Sequence, residues 1–121
     1  MKRQPLKNKR VRPRLDVLLK ANFEIHDKAL PESECIIANI SVSGAGLVFP
    51  GLAEGSISKG LKITLEFFIP GTDRHIYIQG EIIWTKQLED AIAAGVNFSE
   101  PMSFEEIIKC GIKTKNKFEK N

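Results

Sequence analysis

Arg10 and Arg14 stand four residues apart at the end of a basic N-terminal stretch, and the segment Asn39-Ile-Ser-Val-Ser-Gly-Ala-Gly46 sits between two apolar runs. These residues carry the plainest chemistry in the chain. Asn39 and Ser41 hold hydrogen-bonding groups on short stems, so a backbone or ligand group bound there keeps little freedom. Gly44 and Gly46 have no Cβ, which lets the backbone take φ > 0 or come close to a neighbour. A bend that exposes backbone N–H groups between two strands suits an anion or the edge of a purine. The same residue types also build ordinary strand connections, and the segment taken alone reads first as a tight connection between two strands.

Charge supports the anion. Residues 1–14 hold seven lysines and arginines and no acid, residues 15–108 hold 6 basic and 14 acidic side chains, and residues 109–121 hold five lysines and Glu119. A basic tail on an acidic body favours a small anion captured at the tail, while the body repels a long nucleic-acid backbone. At 121 residues the chain makes one domain with one core. No apolar run approaches the ~20 residues that cross a bilayer. Asp16 and Lys20 interrupt the stretch after the basic N-terminus, so no secretory signal and a cytoplasmic location are expected. Cys35 and Cys110 have no CxxC spacing and read as reduced, mostly buried thiols. His26 has no ligand-type neighbour and reads as a surface residue, not a metal ligand. With two separated histidines and no nucleophile–base spacing, catalysis is not expected.

The elements that must position these residues follow from periodicity. Leu15 to Ile25 alternates, with Leu15, Val17, Leu19, Ala21, Phe23 and Ile25 on one face. Cys35 to Val42 gives a second strand that runs into the polar segment, and Gly46 to Phe49 begins a third. After a loop from Pro50 to Gly60, Leu61 to Ile69 alternates again and turns at Pro70-Gly71-Thr72-Asp73. The return strand sets Ile76, Ile78, Ile82 and Trp84 on one face, and Ile92, Ala94, Val96 and Phe98 mark a last strand. Ser103-Phe-Glu-Glu106 reads as a capping box, followed by Phe104, Ile107, Ile108 and Ile112 as an apolar helical stripe. This predicts a mainly β fold, a small antiparallel six-stranded β-barrel plugged by a C-terminal helix. Residues 1–13, with Pro5 and Pro13, lack periodicity and are expected to be disordered in the free protein.

Arg10-x-x-x-Arg14 together with Asn39-x-Ser41-x-x-Gly44 resembles the two signature motifs of the PilZ domain family. Gly80-Glu-Ile-Ile-Trp84 and Gly95-Val-Asn-Phe98 look like two further strands of that family, in the same order. The resemblance covers residues 9–113, leaving 1–8 as a basic tail and 114–121 as a helix end. It implies a split barrel that serves as a receptor for cyclic di-GMP, with no cofactor and no metal. The implied ligand-binding residues are Arg10, Arg14, Asn39, Ser41 and Gly44, with Lys9 and Trp84 as secondary candidates.

Arginine forks match the adjacent O6 and N7 acceptors of guanine and also phosphate oxygens. Asn39 and Ser41 would take guanine edge groups or orient the arginines. The family more often has Asp at position 39, so the Asn here lowers the expected affinity. Trp84 offers either a face for guanine stacking or a core tryptophan beside Ile82. A basic residue at the Lys9 position tends to accompany an intercalated ligand pair, so one or two ligands per chain, and a monomer or ligand-linked dimer, both fit. A separate effector protein is expected to read the signal. The competing readings are a PilZ-fold interaction module that does not bind the nucleotide, and a barrel that holds single-stranded nucleic acid on its tail.

Overall fold

The computed structural model describes residues 14–31 and 33–110. Lys9, Arg10, the basic tail, Ile112 and the helix end lie outside them. Strands β1 (Leu15–Ile25), β2 (Glu34–Ile40), β3 (Gly44–Pro50), β4 (Lys62–Phe68), β5 (His75–Gln87) and β6 (Ala91–Phe98) are followed by a short helix, α1, over residues 104–110. Every neighbouring pair is antiparallel, and the strands close into a barrel in the order β1-β2-β3-β6-β5-β4. Closure leaves each strand a partner on both sides and so removes the open edges of a sheet.

The barrel interior is what the period-two patterns predict. Val17, Leu19, Ala21, Phe23 and Ile25 of β1 point inward, and between them Asp16, Leu18, Lys20, Asn22 and Glu24 are exposed. They meet Ile37, Ile40, Leu47, Phe49, Ile63, Leu65 and Ile82 from the other strands, all at most 1% exposed. Phe23 and Phe49 pack edge to face, centroids 4.7 Å apart. Each such aliphatic or aromatic side chain contributes ~1.5–3 kcal/mol by leaving water. The loop between β3 and β4 adds Leu52 and Ile57, and the chain around α1 adds Met102, Ile107 and Cys110 to the same core. The helix thus plugs the barrel as predicted.

Several local expectations are corrected. Strand β3 starts at Gly44, not Gly46, so the second motif glycine lies within the sheet. Neither Gly44 nor Gly46 takes positive φ; among the described residues the left-handed glycines are Gly51, Gly55, Gly60 and Gly71. Gly71 serves the predicted β4–β5 turn, where Thr72 N–H donates to the Ile69 carbonyl at 3.1 Å. Phe104 does not join the apolar stripe; it is 53% exposed, because α1 docks through Ile107 and Cys110 one turn further on. Only half of the capping box forms. The Glu106 N–H donates to Ser103 Oγ at 3.1 Å, while the Glu106 carboxylate turns away to pair with Arg74. His26 is half-buried, bonded through Nε2 to Thr64 Oγ1 at 2.8 Å, which satisfies that buried hydroxyl.

Both cysteines are free and buried. Burial pushes the Cys35 thiol up to about 12. Burial, with a smaller contribution from the Glu106 carboxylate, pushes Cys110 up to about 11. Both remain neutral thiols at physiological pH. No helix among the described residues is long and apolar enough to cross a membrane.

Candidate ligand-binding site

Register shifts in β1, β2 and β5 surround the candidate site: the β1 shift falls between Asp16 and Leu19, and the other two turn side chains outward. In β2, Ile37 faces the core and pairs with Leu47, yet Asn39 pairs with Gly46, so one extra residue on β2 reverses the alternation. Asn39 therefore turns outward and Ile40 inward. In β5, Ile82 pairs with Val96 but Trp84 pairs with Gly95, the same kind of extra residue with the same result. Trp84 leaves the core face that simple alternation gives it and lies 45% exposed on the outer surface. The core reading of this tryptophan is thereby excluded. A bulge re-aims a side chain in this way without breaking the sheet.

The pairings chain these residues into one row across five strands. Asp16 on β1 pairs with Asn39, Asn39 with Gly46, Gly46 with Gly95, and Gly95 with Trp84. The two glycines form the floor. A Cβ at Gly46 would sit 2.5 Å from Asn39 Nδ2, and one at Gly95 would land on the indole of Trp84. The amide and the indole thus lean over bare backbone from opposite sides of the row. Arg14, just ahead of β1, donates from Nη1 to Asn39 Oδ1 at 3.1 Å. The arginine of one motif and the asparagine of the other are brought together.

Ser41 and Gly44 occupy the turn that ends this row. The Ser41 side chain is buried, its hydroxyl donates to the Gly44 carbonyl at 3.3 Å, and it accepts from Ser43 N–H at 3.3 Å. Ser41 N–H also donates to the Gly44 carbonyl, at 2.8 Å. The expected open bend of free N–H groups is thus replaced by a turn whose Ser41 and Ser43 amides are bonded internally. Phe98 and Met102 N–H groups donate to the Ser43 and Val42 carbonyls, which pins the turn to the end of β6 and the approach to α1. Gly44 is required by the β6 backbone, since a Cβ there would strike the Val96 carbonyl oxygen. Arg10 and Lys9 lie outside the described residues.

The sequence profile of the PilZ domain matches residues 7–111. The chain belongs to the PilZ domain family. PilZ domains are cyclic di-GMP receptors and adaptors, and the closed six-stranded barrel with its helix is their fold. Among solved structures, the inhibitor of motility MotI/DgrA of Bacillus subtilis matches with a TM-score of 0.60 and 17% identity, covering 100% of this chain and 54% of that chain. This PilZ chain therefore spans about half the length of that protein, and the likeness is one of fold. No curated protein sequence matches the chain.

Close approach at Gly46 was legible from the sequence of this PilZ domain; that Gly95 allows the same, and that the close neighbours are Asn39 and Trp84, was not. A glycine inside an otherwise apolar strand was the available signal, since it marks close approach of another group. Among the described residues no cluster of three or more His, Cys, Asp or Glu side chains could hold a metal.

Proposed function

We propose that this PilZ domain binds cyclic di-GMP over the Asn39–Gly46–Gly95–Trp84 row, with Arg10 and Arg14 as guanidinium forks. Arg14 and Arg10 meet guanine O6 and N7 or phosphate oxygens. Asn39 orients Arg14, and Ser41 and Gly44 keep the β2–β3 turn in the shape that presents Asn39. Trp84 stacks on a guanine, worth ~1–3 kcal/mol. The two glycines let the Asn39 amide and the Trp84 indole lie close against the sheet, which leaves the half-exposed indole available to a flat base. The observation that carries this reading is the 3.1 Å hydrogen bond from Arg14 to Asn39, which joins the two motifs at one place.

The output follows from the ligand drawing Arg10 and Arg14 together over the row. Fixing each residue costs ~1–2 kcal/mol, so the ligand's charge-assisted bonds must exceed that sum. The repositioned segment then changes the surface that an effector protein reads. A structural neighbour is an inhibitor of motility, which makes a motility protein the first partner class to test. Lys9 leaves room for one or two ligand molecules per chain.

Calorimetry tests the site. Cyclic di-GMP should bind the parent chain, and Arg10→Ala or Arg14→Ala should each weaken it more than tenfold. Unchanged affinity in both variants removes the proposed site. The salt dependence of binding should be shallow, since the ligand has two phosphates, in contrast to the steep slope of nucleic acid.

A further inference from the structure

Guanine presents donors as well as acceptors. Its N1–H and 2-amino group lie on the edge away from N7, and arginine, which has no acceptor, cannot meet them. The acceptors near the row are few. Asn39 Oδ1 already accepts from Arg14 Nη1 at 3.1 Å, and the Ser41 hydroxyl is engaged in its turn. Directly across from Asn39 on the neighbouring strand stands Asp16, exposed and on the outer face. The pair lies at the edge of a register shift on β1, and both side chains are on the outer face, so the carboxylate and the amide present their oxygens side by side to a ligand. The acid–base contacts among the described residues are Lys62–Glu81, Arg74–Glu106 and Glu66–His75, and Asp16 is in none of them.

We infer that Asp16 is the residue that selects guanine, its carboxylate accepting from N1–H and the 2-amino group while Arg14, held by Asn39, reads the acceptor edge. The inference rests on the cyclic di-GMP reading above and deepens it. A carboxylate with two oxygens fits two adjacent donors, and a base without them forfeits two charge-assisted hydrogen bonds, which is the source of discrimination. A carboxylate also repels the two phosphates of the ligand. If Asp16 acted only through its charge, removing it would tighten every cyclic dinucleotide alike. If it reads the base, removing it weakens cyclic di-GMP most, the inosine analogue, which keeps N1–H, less, and cyclic di-AMP not at all. The two effects have opposite sign.

The test titrates the full chain with three probes: cyclic di-GMP, its inosine analogue, which lacks the 2-amino group, and cyclic di-AMP, which lacks both donors. Asp16→Ala and Asp16→Asn are compared with the parent, and thermal melting checks that each variant folds. In Asp16→Ala, cyclic di-GMP affinity should fall about tenfold, cyclic di-AMP should hold or tighten, and the preference for guanine over inosine should collapse. Asp16→Asn, which keeps one acceptor oxygen, should fall between. An unchanged guanine-to-inosine ratio in Asp16→Ala, or equal shifts for all three probes, overturns the assignment while leaving the receptor reading standing. A parent chain that binds none of the three overturns both.

Discussion

Gly44 and Gly95 lack a Cβ for different neighbours, and the difference sets different costs. At Gly44 the added methyl meets the Val96 backbone carbonyl, which cannot move without disturbing the β3–β6 ladder. Gly44→Ala should therefore lose ~1–3 kcal/mol in urea unfolding. At Gly95 the obstacle is the indole of Trp84, the end of an exposed side chain that can swing aside. Gly95→Ala should cost under ~1 kcal/mol. Trp84 is the only tryptophan, so its fluorescence emission should report the displacement directly. A Gly95→Ala chain with unchanged emission and unchanged cyclic di-GMP affinity would show that the indole is not held over the row. The types of Arg14, Asn39 and Ser41 were legible from the sequence. That the Ser41 hydroxyl is closed into its own turn was not, because that depends on the path of Val42 and Ser43.

At the scale of the element, α1 shows which signals are local. Ser103 caps the Glu106 N–H as its spacing predicts, and Ser103→Ala should cost ~1 kcal/mol. The Glu106 side chain instead pairs with Arg74 from the β4–β5 turn, an acid–base contact between segments 32 residues apart that no short motif encodes. Arg74 is 64% exposed, so the pair should be worth only ~0–1 kcal/mol and should weaken with salt. Ile107 lies fully inside the core, so Ile107→Ala should cost ~2–5 kcal/mol. Thermal melts of the three variants in low and high salt check the order: Ile107→Ala largest, Ser103→Ala next, Arg74→Ala smallest and alone salt-sensitive. The same distinction applies to β2 and β5. Their existence was legible from apolar alternation, but the bulges that reverse Asn39 and Trp84 were not.

For the whole molecule, the buried thiols link stability to pH. Both thiols are held well above 9.0, with Cys35 at about 12 and Cys110 at about 11. Below pH 9 the folded and unfolded chains both keep these protons, and the thiols add no pH dependence. Above it the unfolded chain releases protons that the folded chain retains, so stability falls as pH rises toward the folded values, by at most ~1.4 kcal/mol per pH unit per thiol. Urea unfolding across pH 8–11 should show this decline, and Cys35→Val should make it shallower. An identical slope in that variant would remove Cys35 as its source. Both thiols should also resist alkylation until the chain unfolds.

By itself the sequence determined that this chain is a small six-stranded antiparallel barrel plugged by a helix, and that its two polar motifs resemble those of PilZ domains. Inward and outward alternation is a property of neighbouring residues, so it is written locally in Leu15 to Ile25 as much as in Ile92 to Phe98. The tertiary structure alone decided that Asp16, Asn39, Gly46, Gly95 and Trp84 form one row. Which residue stands opposite which depends on how five strands slide against one another. Extra residues in β1, β2 and β5 shift that register, and the chain's own period-two pattern contains no mark of them.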